Sequence, residues 1–194
     1  MREEFDKAYY DRFYRNPATR SATPLAAARQ AAFISGYLRY LEVPVRRMLD
    51  IGCGLGRVLT AMTDQFPNAR AVGVEYSGYI CDRYGWTQGS VIDFTSKSPF
   101  DLVICNDVLA YLDDQSCATA IDNLASLTRS AMFLGVLTKE DWVLCDQERT
   151  DPDQYLRTKA WYQKRLAPHF VNVGGGLYLK QPLAFPVWTL DRLS

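Results

Sequence analysis

Three short stretches of this 194-residue chain carry groups that can bind or transform a ligand. The first is Asp50-Ile51-Gly52-Cys53-Gly54-Leu55-Gly56-Arg57, where three glycines follow an apolar run and precede an amphipathic one. Glycines placed there let the backbone turn sharply and let a ligand approach the main chain, and the start of a following helix offers unpaired amides to an anionic group. The dinucleotide fingerprint needs a third small residue where this chain has Arg57, and a P-loop needs Gly-Lys followed by Ser or Thr, which is absent. The second stretch is Ala71-Val72-Gly73-Val74-Glu75-Tyr76. A carboxylate at that strand end accepts hydrogen bonds from both hydroxyls of an unphosphorylated ribose, and the Tyr76 ring can lie against an adenine. The third places Asn106 and Asp107 at the end of the apolar run over residues 101–106, on the edge where open α/β sheets bind ligands.

These residues need strand ends and helix starts to hold them. Thr23-Pro24 reads as an N-cap followed by proline at the first helical position, opening a helix through Leu25, Ala28, Ala32, Phe33, Tyr37 and Leu41 that ends before Val43-Pro44. The pattern then predicts strands over residues 45–51, 71–75, 86–88, 101–106 and 131–137, alternating with helices over 55–66, 78–84 and 114–127. Short apolar strands separated by amphipathic helices imply a doubly wound α/β fold, a mainly parallel sheet covered on both faces. A further helix is expected over residues 154–167. Beyond it, residues 170–173 and 177–179 flank the triplet Gly174-Gly175-Gly176 as two arms of a hairpin or as one strand and a loop, with residues 186–190 as a final strand.

Composition narrows the partners. The 22 basic and 22 acidic residues cancel, which removes any bulk attraction to nucleic acid or an anionic membrane and leaves a small, near-neutral partner as the expectation. Cys53, Cys81, Cys105, Cys117 and Cys145 form neither an even framework nor a CxxC pair, so they are read as reduced thiols in a cytoplasmic protein with no metal site. The amino terminus is charged from the start and no run of about 18 apolar residues occurs, so neither secretion nor membrane insertion is expected. With no repeat or long linker, residues 1–194 are read as one domain.

The three stretches together resemble the class I S-adenosylmethionine-dependent methyltransferases, over residues 45–137. Met48 to Arg57 looks like the first motif of that family, Gly73-Val74-Glu75-Tyr76-Ser77 like its ribose-binding acidic motif, and the run from Phe100 to Leu109 like its fourth-strand motif. The resemblance implies a Rossmann-like, seven-stranded sheet and S-adenosylmethionine as cofactor. It places Asp50 and the backbone of Gly52, Cys53 and Gly54 at the methionine end, Glu75 on the ribose, Tyr76 on the adenine face, Ser90 and Val91 at the adenine edge and Asn106 on the methionyl moiety. Many relatives carry an acid where this chain has Ser90, with Asp93 nearby as a substitute. Small-molecule members often carry a histidine where Leu109-Ala110-Tyr111-Leu112 has Tyr111.

An amino-terminal helix closes over the cofactor in several relatives. Residues 1–42 are accordingly read as a helical lid on a sheet core of residues 43–194, with Tyr14 and Arg20 reaching the methionine carboxylate. The Asn-Pro-Pro-Tyr and Pro-Cys signatures of DNA and glutamine methylation are absent. The implied activity is in-line methyl transfer to a small-molecule acceptor, with a protein or RNA acceptor, or a non-catalytic binding protein of the same fold, as alternatives. No catalytic base is assigned: His169, the single histidine, is read as structural, and the aromatics Tyr9, Tyr10, Phe13, Trp142, Trp161 and Tyr162 as core or site lining.

Overall fold

The computed structural model describes residues 5–20, 23–184 and 186–193. Helix α1 (Lys7–Tyr10) is capped by Asp6, whose side chain accepts from the Tyr9 amide, and runs on as a π-helical turn over Asp11–Arg15. Helix α2 (Pro24–Tyr40) begins as its sequence dictates, with the Thr23 hydroxyl accepting from the Ala26 amide at 3.1 Å and proline in the first turn. Its buried residues Ala27, Ala31, Ile34 and Leu38 recur at three- and four-residue spacing, one stripe facing the sheet. The residues of the expected lid that fall at 1–4 and 21–22 lie outside the described residues.

Seven strands form one sheet among the described residues: β1 (Arg47–Ile51), β2 (Arg70–Glu75), β3 (Thr87–Gln88), β4 (Phe100–Asn106), β5 (Thr128–Gly135), β6 (Phe170–Gly174) and β7 (Leu177–Lys180). Their spatial order is β3-β2-β1-β4-β5-β7-β6, parallel through β5, with β7 antiparallel to both β5 and β6. The strand order reverses between β1 and β4, so the loops leaving their carboxyl ends part there and open a crevice. The connecting helices are α3 (Arg57–Gln65), α4 (Gly78–Tyr84), α5 (Asp114–Leu127), the short α6 (Lys139–Trp142) and α7 (Lys159–Leu166).

Alternation along the central strands sorts the core into two layers. Leu49, Val103, Cys105, Met132 and Leu134 pack with Ile121 and Leu124 of α5 and Tyr162 and Leu166 of α7. Met48, Leu102, Ile104 and Ala131 point the other way, against Ile34 and Leu38 of α2 and Leu59 and Met62 of α3. Both faces of the parallel strands are therefore covered, which explains why they read as near-continuous apolar runs.

The carboxyl-terminal third departs from expectation in two places. Residues 154–158 are not helical: the Tyr155 amide donates to the Ala110 carbonyl at 2.7 Å and the Arg157 side chain is buried, so tertiary contacts hold this segment extended until Thr158 caps α7. Residues 186–190 do not make a strand; Thr189–Asp191 is a 3₁₀ turn, Val187 packs into the core, and Leu193 forms a single bridge to Asn172. The Gly174–Gly176 triplet closes a β6–β7 hairpin, the first of the two readings left open.

Candidate active site

The loop after β1 is fixed by its neighbours in the sheet. The amides of Gly52 and Cys53 both donate to the Val74 carbonyl, at 2.8 and 3.1 Å, and the Trp86 indole donates to the Gly54 carbonyl at 3.1 Å. Gly52 has a left-handed φ of 77°, and a Cβ there would lie 2.2 Å from the Val108 side chain, so conformation and space both demand glycine. Glu75, 5% exposed at the end of β2, reaches back to this loop. One of its oxygens accepts from the Gly54 amide at 2.8 Å; the other accepts from the Tyr76 and Ser77 amides at 2.7 and 2.9 Å. Three amides hold one carboxylate in a fixed orientation at a strand end. Asp50 is 3% exposed, and burial, followed by the charge of Glu75, pushes its carboxyl up to about 7.

Two connected cavities open above these strand ends. The smaller, about 70 Å³, is bordered by Glu75, Tyr76, Ser90, Val91 and Leu112. The larger, about 340 Å³, runs from the glycine loop and Arg57 past Gln30 of α2 to Leu137, Asp151 and Gln154. Tyr9, Tyr14, Gly52, Asn106, Asp107 and Tyr111 border both and so ring the passage between them. The amino-terminal aromatic segment roofs this passage. The Ser77 hydroxyl donates to the Phe5 carbonyl at 2.5 Å, and the Tyr9 and Tyr111 hydroxyls share a hydrogen bond of 2.9 Å. Tyr10 packs beside Glu75, whose charge adds to burial in raising the Tyr10 phenol well above its usual range.

Comparison with known proteins agrees with this geometry. Residues 49–130 match a family described as a methyltransferase domain. Trans-aconitate 2-methyltransferase of Azoarcus sp. (strain BH72) is 25% identical over 143 residues, 63% of this chain; the chain spans 56% of that relative's length. Magnesium protoporphyrin IX methyltransferase (ChlM) from Synechocystis PCC 6803, solved with bound SAH, superposes with a TM-score of 0.65 at 18% identity, covering 91% of this chain and 96% of that one. CalS10, an amino pentose methyltransferase from Micromonospora echinaspora, superposes with a TM-score of 0.63 at 14% identity over 92% and 98% of the two chains. The chain has the class I methyltransferase fold.

Within this methyltransferase fold the structure brings together Asp50, Gly52, Cys53, Gly54, Asn106 and Tyr14 at the larger cavity, and Glu75, Tyr76, Ser90 and Val91 at the smaller. The Ser90 hydroxyl accepts from the Ile92 amide at 3.2 Å, and Asp93 lies outside the smaller cavity on an outer groove. Arg20 borders neither cavity. Arg57, the first residue of α3, lines the larger one and ties the roof to the glycine loop by donating to the Tyr14 carbonyl at 2.9 Å. His169 lies away from both, 3.0 Å from Asp122 of α5, and Trp161 stacks on Arg165.

Sequence reasoning did not select Gln30, Asp151 and Gln154, which complete the larger cavity's wall. Asp151 lies in an irregular segment with no periodic signal, and Gln30 sits on an ordinary amphipathic helix. Nothing local marked either as part of a site.

Proposed function

We propose that this protein transfers the methyl group of S-adenosylmethionine to a small-molecule acceptor held in the larger cavity. The observation that carries the reading is the Glu75 carboxylate, fixed by three amides at the rim of a recess that reaches the glycine loop at Gly52. Its lone pairs suit a ribose diol. At Gly54 a Cβ would come into van der Waals contact with the Tyr14 and Tyr10 rings, at 3.7 and 3.8 Å, so the roof lies directly over the glycine loop. In this reading Tyr76, Ser90 and Val91 border the adenine, while Asp50, the Gly52–Gly54 backbone and Asn106 surround the methionine end. Tyr14 and Arg57 are the roof and loop groups that border its carboxylate; Arg57 takes the place expected of Arg20. The SAH in magnesium protoporphyrin IX methyltransferase, which shares the fold, supports this choice of ligand.

When bound, such a cofactor supplies a methyl carbon on a sulfonium, open to in-line attack. The chain's own task is positional. The roof from Phe5 to Tyr14 shields the passage from bulk water, and the strand-end residues hold the two reactants within near-attack distance, an effect worth several kcal/mol in well-oriented systems. Residues 5–15 serve as the lid in this reading, over one domain built on the sheet. The small-molecule acceptors named for trans-aconitate 2-methyltransferase and for the amino pentose enzyme, the zero net charge, and a recessed cavity with a single cationic side chain among its described lining residues support a small acceptor. The five free thiols fit a reducing, cytoplasmic setting. Among the described residues no helix is long and apolar enough to cross a membrane.

A tritium-labelled methyl donor, incubated with the protein and fractionated cell-extract metabolites, provides the test. Label is expected in a low-molecular-mass product identifiable by mass. Label found only in macromolecules, or in no fraction, contradicts the proposal.

A further inference from the structure

The larger cavity's wall bears on the chemistry of the acceptor. Asp107 follows β4 with a left-handed φ of 57°, a conformation that costs a non-glycine residue about 1–2 kcal/mol and that aspartate tolerates better than most. Two contacts impose it. The Asp107 amide donates to the Gly135 carbonyl at 2.8 Å, and the Asn106 amide nitrogen donates to Asp107 Oδ2 at 2.8 Å. Asn106 is in turn held by Gln30, which donates to its Oδ1 at 3.3 Å, and by the bare backbone of Gly135, where a Cβ would sit 2.1 Å from that oxygen. Elements α2, β4 and β5 thus converge to aim one carboxylate into the passage between the cavities. The other Asp107 oxygen has no hydrogen-bond partner among the described residues, and the surface it leaves open borders both cavities.

Resting on the reading of the smaller cavity as the donor site, we propose that the acceptor is an amine and that Asp107 binds its nitrogen and takes the proton released on methylation. The step balances as follows. The nitrogen lone pair forms the N–CH₃ bond while the C–S bond breaks, its electron pair staying on sulfur, which becomes a neutral thioether. The positive charge passes to nitrogen, and one N–H proton moves to the Asp107 carboxylate.

Two rival acceptor classes fit the wall less well. A carboxylate would enter beside Asp107, Asp50 and Asp151, with Arg57 as the one cationic side chain among the described lining residues, engaged at the glycine loop. An alcohol needs a much stronger proton acceptor than a carboxylate, whereas an ammonium gives up its proton to one far more readily. The Tyr9 and Tyr111 hydroxyls, paired across the same passage, offer further oxygens to an N–H donor.

The experiment is ligand-observed NMR on the full chain saturated with S-adenosylhomocysteine. The probes are amine, alcohol and carboxylate fragments matched on cyclohexyl and benzyl skeletons. The amines are expected to bind in preference to their partners, and Asp107→Asn to weaken them about tenfold, the loss of one charge-assisted hydrogen bond. The melting temperature should hold in that variant. Asp107→Gly, which adopts the same φ without strain, guards against a folding artefact and should lose the amines equally. Carboxylates binding as well as amines, no amine binding, or amine binding that survives both variants would overturn the assignment. Failure of the unmodified protein to bind S-adenosylhomocysteine would instead remove the donor-site reading beneath it.

Discussion

Asp50, next to last in β1, has its carboxyl buried within reach of the charge of Glu75, and its pKa is pushed to about 7. A carboxyl raised above its unfolded value of about 3.9 keeps its proton in the folded state while the unfolded chain has already lost it, so stability contributed by this group falls as pH rises from about 4 to 7. Asp50→Asn removes the titration. In the ligand-free protein it should therefore match wild type near pH 4 and become more stable than wild type by a few kcal/mol at pH 8. Urea unfolding at the two pH values measures this, and a pH-independent difference would contradict the burial argument. Gly52 is a second residue-scale constraint. Gly52→Ala must take a left-handed φ and push Val108 aside, with an expected loss of about 2–4 kcal/mol in the same assay.

At the scale of elements, Arg157 holds together the two segments that the sequence left least defined. Its guanidinium donates to the carbonyls of Leu109, Leu112 and Tyr155 and pairs with Asp114 at 2.7 Å, while its side chain is 4% exposed. It thereby fixes the Leu109–Tyr111 turn that carries Tyr111 and the segment that carries Asp151. Arg157→Met should cost about 2–4 kcal/mol through orphaned carbonyls, and should weaken acceptor binding more than donor binding. Equal loss of both, by titration, would count against this division of labour.

The same residue shows where sequence reading stopped. The strands and caps around Gly52, Glu75 and Asn106 were legible because each depends on residues within a few positions, such as Thr23 before α2 or the apolar run ending at Asn106. The helix expected over residues 154–167 starts late, at Lys159, because distant partners, Ala110 and the carbonyls around Arg157, outweigh local propensity over 154–158. The cavity wall was hidden for a related reason. Gln30 meets Asn106 across 76 residues, and Tyr9 meets Tyr111 across 102.

At the scale of the whole molecule, the parallel strands β1, β4 and β5 form a rigid platform buried on both faces, and the aromatic segment over residues 5–15 is laid on top of it through side-chain contacts. Because residues 5–15 are held by side-chain contacts and not by sheet hydrogen bonds, stability should be uneven. Amide hydrogen exchange should be slowest in β1, β4 and β5 and fast in residues 5–15. Saturating S-adenosylhomocysteine should slow exchange in that segment and in the glycine loop, and leave α7 unchanged. Ligand-independent exchange over residues 5–15 would deny the segment its role as a roof. The most direct test of the central claim is calorimetric titration of S-adenosylmethionine into the intact protein and into Glu75→Ala. Binding in the micromolar range, weakened about a hundredfold or more by the loss of the Glu75 carboxylate, is the predicted result. No binding at millimolar ligand, or equal binding by both proteins, would contradict it.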